Sequence, residues 1–117
     1  MFVHIARAED WEAAQASGQY APPELEEHGY IGCAMPKQVE AVANEQFAGR
    51  DDLVLLWIQP TRLKPVVIYE RPHGAEVGEL YPHVRAAINL DAVVEARKLP
   101  PWEPGRFVLP PQPPDRG

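Results

Sequence analysis

The sequence predicts one α+β domain over residues 1–99 and a proline-rich C-terminal extension over residues 100–117. Three observations carry this. Both stretches with helical periodicity lie before residue 50, whereas five or six short β-rich runs lie mostly after it, which indicates α+β rather than repeated βαβ units. The chain has 117 residues, too few for a second independent core. Of fourteen prolines, seven fall after Leu99, namely Pro100, Pro101, Pro104, Pro110, Pro111, Pro113 and Pro114.

Taken in order, Phe2 to Ala6 reads as a short strand of alternating faces. Ala8 to Ser17 reads as a helix: Glu9, Asp10 and Glu12 occupy its first turns, Ala8, Trp11 and Ala14 mark its apolar side, and Gly18 stops it. Gln19 to Gly29 holds Pro22-Pro23 and three acids, and predicts a surface loop with at most one helical turn after Pro23. Tyr30 to Cys33 is a second short strand. Pro36 opens a second helix, whose stripe of Val39, Val42, Ala43 and Phe47 ends at Gly49. The unbroken apolar run Leu53 to Ile58 predicts a strand buried on both faces, hence central in its sheet. Gln59 to Arg62 is a turn, Val66 to Tyr69 a strand and Arg71 to Gly78 a loop. Leu80 to Ile88 and Ala92 to Leu99 close the domain.

Eleven basic residues against seventeen acids give a net charge of −6, which excludes a nucleic-acid polymer as partner. The extension is neutral (Glu103 and Asp115 against Arg106 and Arg116), so the whole excess belongs to residues 1–99. The longest apolar run has six residues where a membrane span needs about twenty, and no signal-peptide pattern opens the chain. The single cysteine, Cys33, permits no internal disulfide and fits a reducing compartment. The expected setting is cytoplasmic, without membrane contact.

Glycine-rich phosphate loops, a His-Glu-x-x-His pair and a Gly-x-Ser-x-Gly elbow are all absent. His4, His28, His73 and His83 include no pair at helical metal spacing, so no metal is expected. Three places stand out. His4 lies between Val3 and Ile5, where an imidazole must find hydrogen bonds if buried; a backbone carbonyl would satisfy it as well as a ligand. Tyr30-Ile-Gly-Cys33 places Gly32 inside a strand, which marks either a close ligand approach or a bulge. Glu79-Leu-Tyr-Pro-His83 brings a carboxylate, a phenol and an imidazole within five residues. Cys33 beside a histidine would form a nucleophile pair, although a lone cysteine in an apolar strand is ordinarily a small buried hydrophobe.

In order along the chain stand Val3-His4-Ile5, Asp10-Trp11-Glu12-Ala13-Ala14, Gly29-Tyr30-Ile31-Gly32-Cys33, Ala43-Asn44, Arg50 to Leu56, Tyr81-Pro82-His83 and Leu90 to Val94. This ordered set, covering residues 2 to 99, resembles the bacterial family catalogued as domain of unknown function 952. The resemblance implies an ADP-ribosyltransferase-like fold, in which early helices pack on a split, mostly antiparallel sheet around an NAD-binding cleft. By position, it implies that His4 holds a ribose, that Tyr30 flanks nicotinamide and that Glu79 is the catalytic acid; Gly32 is a further cofactor-binding candidate. His83, a signature residue of the family, is the second catalytic candidate, and Arg85 is placed to recruit a pyrophosphate. The chain departs from the family pattern at Gly32 and Ala34, where His and Ser commonly flank the cysteine. It departs again after His83, where Val84-Arg85-Ala86-Ala87 replaces a hydrophobic-Tyr-Gly-Pro run. The resemblance therefore implies an NAD- or nucleotide-binding domain, performing ADP-ribosyl transfer or NAD cleavage. Its alternative is a diverged, non-catalytic binding or homo-oligomeric assembly module.

The extension lies outside the resemblance. Its prolines predict extended chain, but Trp102 and Phe107-Val108-Leu109 are too apolar for a solvated linker. Trp102 to Leu109 is expected to dock on the domain or on a second copy, forming a homodimer in the latter case. Gln112 onward is expected to fray.

Overall fold

The computed structural model describes residues 1–72, 77–103 and 109–114. Strand β1 (Phe2–Arg7) opens the chain, followed without a break by helix α1 (Ala8–Ser17). Gly18 ends that helix at φ 94°, a left-handed conformation that costs glycine little, and donates its N–H to Ala14 O. Ala14 is the buried residue of α1, with Ala8 and Trp11 packed beside it.

The segment expected to be a surface loop is structured instead. Gln19–Tyr20 forms β2, and Pro23–His28 forms α2, a six-residue helix with proline at its start and Gly29 in the left-handed region at its end. Tyr20 is buried because β2 pairs with β7 (Ile88–Asn89), a partner nearly seventy residues away. No local pattern announces such a pair.

Strand β3 (Ile31–Gly32) leads through a 3-10 turn at Pro36–Gln38 into α3 (Val39–Gln46). The predicted stripe faces inward: Val39 and Ala43 are buried, with Val42 and Phe47 packed beside them. Gln38 fastens the helix start, its Oε1 accepting from Met35 N at 2.8 Å and its Nε2 donating to Leu80 O at 3.0 Å. After β4 (Leu53–Ile58) come β5 (Val67–Glu70), β6 (Tyr81–Val84), β7 and β8 (Val93–Lys98).

Among the described residues there are thus eight strands and three α-helices, more than the five or six strands and two helices expected. The strands form three antiparallel sheets rather than one: β1-β4-β8, β2-β7 and β3-β6-β5. The central position of β4 is as expected, and all six of its residues are buried. Their alternation feeds two cores. Val54, Leu56 and Ile58 join Phe2, Tyr20 and Ile31 on one face, while Leu53, Leu55 and Trp57 join Val3, Val39 and Leu99 on the other.

The first and third sheets are joined by backbone near Ala34. Val3 and Ala34 form an isolated antiparallel bridge and exchange two backbone hydrogen bonds, both of 2.8 Å. Beyond it the two sheets part.

The extension docks in part on its own domain. Trp102 is buried in the second core, donates Nε1–H to Asn44 Oδ1 at 2.8 Å, and donates its backbone N–H to Arg50 O at 2.8 Å. Leu109 packs against the same core. Phe107 and Val108 lie outside the described residues. Pro113 is buried, so the chain still touches folded surroundings beyond Gln112, where fraying was expected. Among the described residues no helix is long and apolar enough to cross a membrane.

Candidate functional site

Where the two sheets part, a cleft of about 270 Å³ opens, lined by side chains from β1, α2, β3, α3 and β6. Two histidines face it from different sheets, and both are almost wholly buried.

His4 is fixed at both ring nitrogens. Nδ1 lies 2.7 Å from Gly32 O, and Nε2 lies 2.6 Å from the Tyr20 hydroxyl. A carbonyl only accepts, so Nδ1 carries the hydrogen; in the neutral ring Nε2 then accepts from the Tyr20 O–H. Burial above all, and then the negative charges of Glu24 and Asp10, push the Tyr20 phenol far above its usual range, so it remains a donor. Glu24 on α2 completes the cluster. Its Oε1 stands 3.6 Å from His4 Nε2 and its Oε2 accepts from Gly32 N at 3.1 Å.

The second cluster follows from strand register. In the third sheet His83 faces Gly32 on one side and Ile68 on the other. Residues two positions along the neighbouring strands, Tyr30 and Glu70, therefore stand diagonal to it on the same face. Tyr30 stacks flat on the His83 ring, with centroids 3.8 Å apart and planes 6° from parallel. Glu70 Oε1 accepts from His83 Nδ1 at 2.8 Å and from Arg85 NH1 at 2.9 Å. The His83 hydrogen bond first, and then the Arg85 charge, hold the Glu70 carboxyl below its usual range. His83 Nε2 is left without a protein partner among the described residues, as an acceptor on a residue that lines the cleft.

Of the residues singled out in the sequence, His4, Tyr30, Gly32 and His83 come together at this cleft. Glu79 and Arg85 do not. Glu79 is exposed and outside the lining, although its neighbour Tyr81 lines it; Arg85 is largely exposed and held on Glu70. The lining carboxylates are Glu24 and Glu45 instead. Cys33 lines the cleft as a neutral thiol: burial, reinforced by Glu24, pushes its pKa well up, which opposes the thiolate that a nucleophile needs. His73 lies outside the described residues. Among those described, no three His, Cys, Asp or Glu side chains form a group able to hold a metal ion.

Tyr20, Glu24 and Glu70 escaped the sequence reading. Tyr20 sits in a stretch whose prolines and acids signal a loop, and its function depends on a partner strand far along the chain. For Glu24 one signal existed: an acid one residue after Pro23, in the first turn of a short helix, with Gly32 eight residues on.

Fold and site together define a small α+β domain with a cleft lined by two buried histidines and an exposed third, His28. The profile of the protein family of unknown function DUF952 matches residues 5–96, and the chain belongs to that family. Protein CC0527 from Caulobacter crescentus is similar in fold. Its X-ray crystal structure shares 24% identity at a TM-score of 0.77, covering 89% of this chain and 90% of that one. Its solution NMR structure shares 25% identity at a TM-score of 0.67, covering 85% and 84% respectively. No curated protein matches the chain.

Proposed function

We propose that the cleft binds the ring-and-ribose end of a nucleotide, with NAD the nucleotide to which an ADP-ribosyltransferase-like fold points. One observation carries the reading: two buried histidines from separate sheets, each oriented by a hydrogen bond at Nδ1, face one cleft beside a stacked tyrosine. An ordered imidazole with one nitrogen open to the cleft, His83, beside a second one held at both nitrogens, His4, is an arrangement expected of a ligand site.

The lining fits one half of NAD. A planar ring meets the Tyr30–His83 platform, and His83 Nε2 offers an acceptor for a carboxamide or hydroxyl donor. The two phosphates find no counterpart, because no lysine or arginine lines the cleft among the described residues. At about 270 Å³ the cleft also falls below the roughly 300–1,000 Å³ typical of sites that enclose a whole drug-sized ligand. The phosphates would therefore lie outside, on the side where Arg85 stands. When bound, NAD supplies a glycosidic bond whose cleavage develops positive charge on the ribose. Glu24 is the carboxylate best placed to face such charge, being tied to both His4 and Gly32.

Thermal denaturation with NAD up to millimolar concentration tests the reading, with His4→Ala and His83→Ala as controls. NAD is expected to raise the melting temperature of the wild type and of neither variant. No shift in the wild type refutes nucleotide binding. Nicotinamide release that is reduced by Glu24→Gln and untouched by Glu79→Gln would add catalysis; binding without release leaves the non-catalytic module.

A further inference from the structure

We infer that the cleft selects planar organic cations and discriminates against uncharged rings of the same shape; this deepens the reading above by naming the ligand class, and rests on it. Three independent features converge. The first is the aromatic platform, His28, Tyr30 and His83 in sequence, with Tyr30 at 3.8 Å from His83 and at 6.0 Å from His28. His83 covers one face of Tyr30, so a cation is attracted through the ring's other face, by about 0.5–1 kcal/mol at an exposed site. The second is charge: Glu24 and Glu45 are the lining carboxylates, and no lysine or arginine among the described residues lines the cleft to offset them.

The third is His83 itself, only 3% exposed. With Nδ1–H committed to Glu70, its Nε2 presents a lone pair without a protein partner among the described residues. Such an acceptor, open to the cleft, can receive an N–H or O–H donor from a ligand. Arg85 is held on Glu70 and does not line the cleft. A flat cation bearing a donor group thus satisfies the platform, the carboxylates and the open imidazole together. A neutral ring satisfies the platform and the imidazole alone.

Nicotinamide and 1-methylnicotinamide share ring and carboxamide and differ by an N-methyl group and the positive charge it fixes. Titration calorimetry of the full chain is expected to show 1-methylnicotinamide binding about tenfold tighter than nicotinamide, as the platform and the two carboxylates together imply. In Glu45→Gln the ratio should fall toward threefold or less. Glu45 is exposed and makes no hydrogen bond among the described residues, so its replacement leaves the fold intact. Equal affinities, or tighter binding of nicotinamide, overturn the inference. If NAD still binds in that case, the nucleotide reading survives and cation selection alone is lost. If neither NAD nor either ring binds, both fall.

Discussion

Replacing Tyr20 by Phe removes one oxygen and leaves the ring that packs in the first core. That oxygen meets His4 Nε2 at 2.6 Å, and both side chains are buried, Tyr20 at 1% and His4 at 4% exposure. Water cannot readily replace the lost donor, so the imidazole carries the cost of an unsatisfied buried acceptor, about 1–3 kcal/mol. For a chain of this length that corresponds to a melting temperature lower by roughly 4–12 °C. The informative comparison is a double-mutant cycle in urea. In a His4→Ala background the Tyr20 hydroxyl has lost its partner, so Tyr20→Phe should there cost close to nothing or stabilise slightly. The coupling between the two positions is expected at about 1–2 kcal/mol. Equal costs in both backgrounds would show that Tyr20 acts through ring packing alone, and that His4 is not oriented by it.

Other changes separate the remaining contacts. Trp102→Ala empties a buried site and removes the Asn44 hydrogen bond, and should cost about 3 kcal/mol by denaturant unfolding; truncation after Leu99 should cost about the same, and an unchanged midpoint in both would refute docking in cis. Glu70, whose folded pKa is depressed below the ordinary 4.5, contributes stability above that value and loses it as pH falls through the lower folded value. Wild type and Glu70→Gln should therefore differ most at neutral pH and converge in acid below pH 4, as read by urea midpoints; a difference that persists unchanged in acid contradicts the pairing. A Cβ on Gly32 would meet Glu24 Oε2 at 3.6 Å and Tyr30 Cε2 at 3.9 Å, which is ordinary contact. Gly32→Ala should accordingly melt within a few degrees of wild type while weakening any ligand of the cleft, measured by calorimetry.

Elements whose signals are local were legible in the sequence. The helix from Ala8 to Ser17 has its acids, its apolar side and its terminal glycine within eleven residues, and it stands where those features place it. Leu53 to Ile58 is apolar at every position because both of its faces are covered, and this fixed its central place. The two-residue strand Gln19–Tyr20 is different. It exists only through Ile88 and Asn89, and its own sequence, next to Pro22-Pro23, argues for a loop. The candidate site divides in the same way. His4 was conspicuous because an imidazole interrupts an apolar strand, and His83 because it follows an aromatic-proline pair. Their partners Tyr20, Glu24 and Glu70 are ordinary residues on exposed-looking segments, and only pairing register brings them to the histidines. Glu79 owes its candidacy to the resemblance by position, and four residues of chain at roughly 3.3 Å each separate it from His83.

The bridge between Val3 and Ala34 has a bearing on how this domain diverges from its relatives. It is made wholly of backbone atoms, so the identity of residue 34 does not enter it. Ala34 forms that rung and Gly32 lies two residues before it. The bridge's two hydrogen bonds do not use the side chain at either position. The domain thus separates the part that holds the cleft open from the part that decides what enters it. A substitution at residue 32 changes the cleft lining and leaves both bridge hydrogen bonds in place.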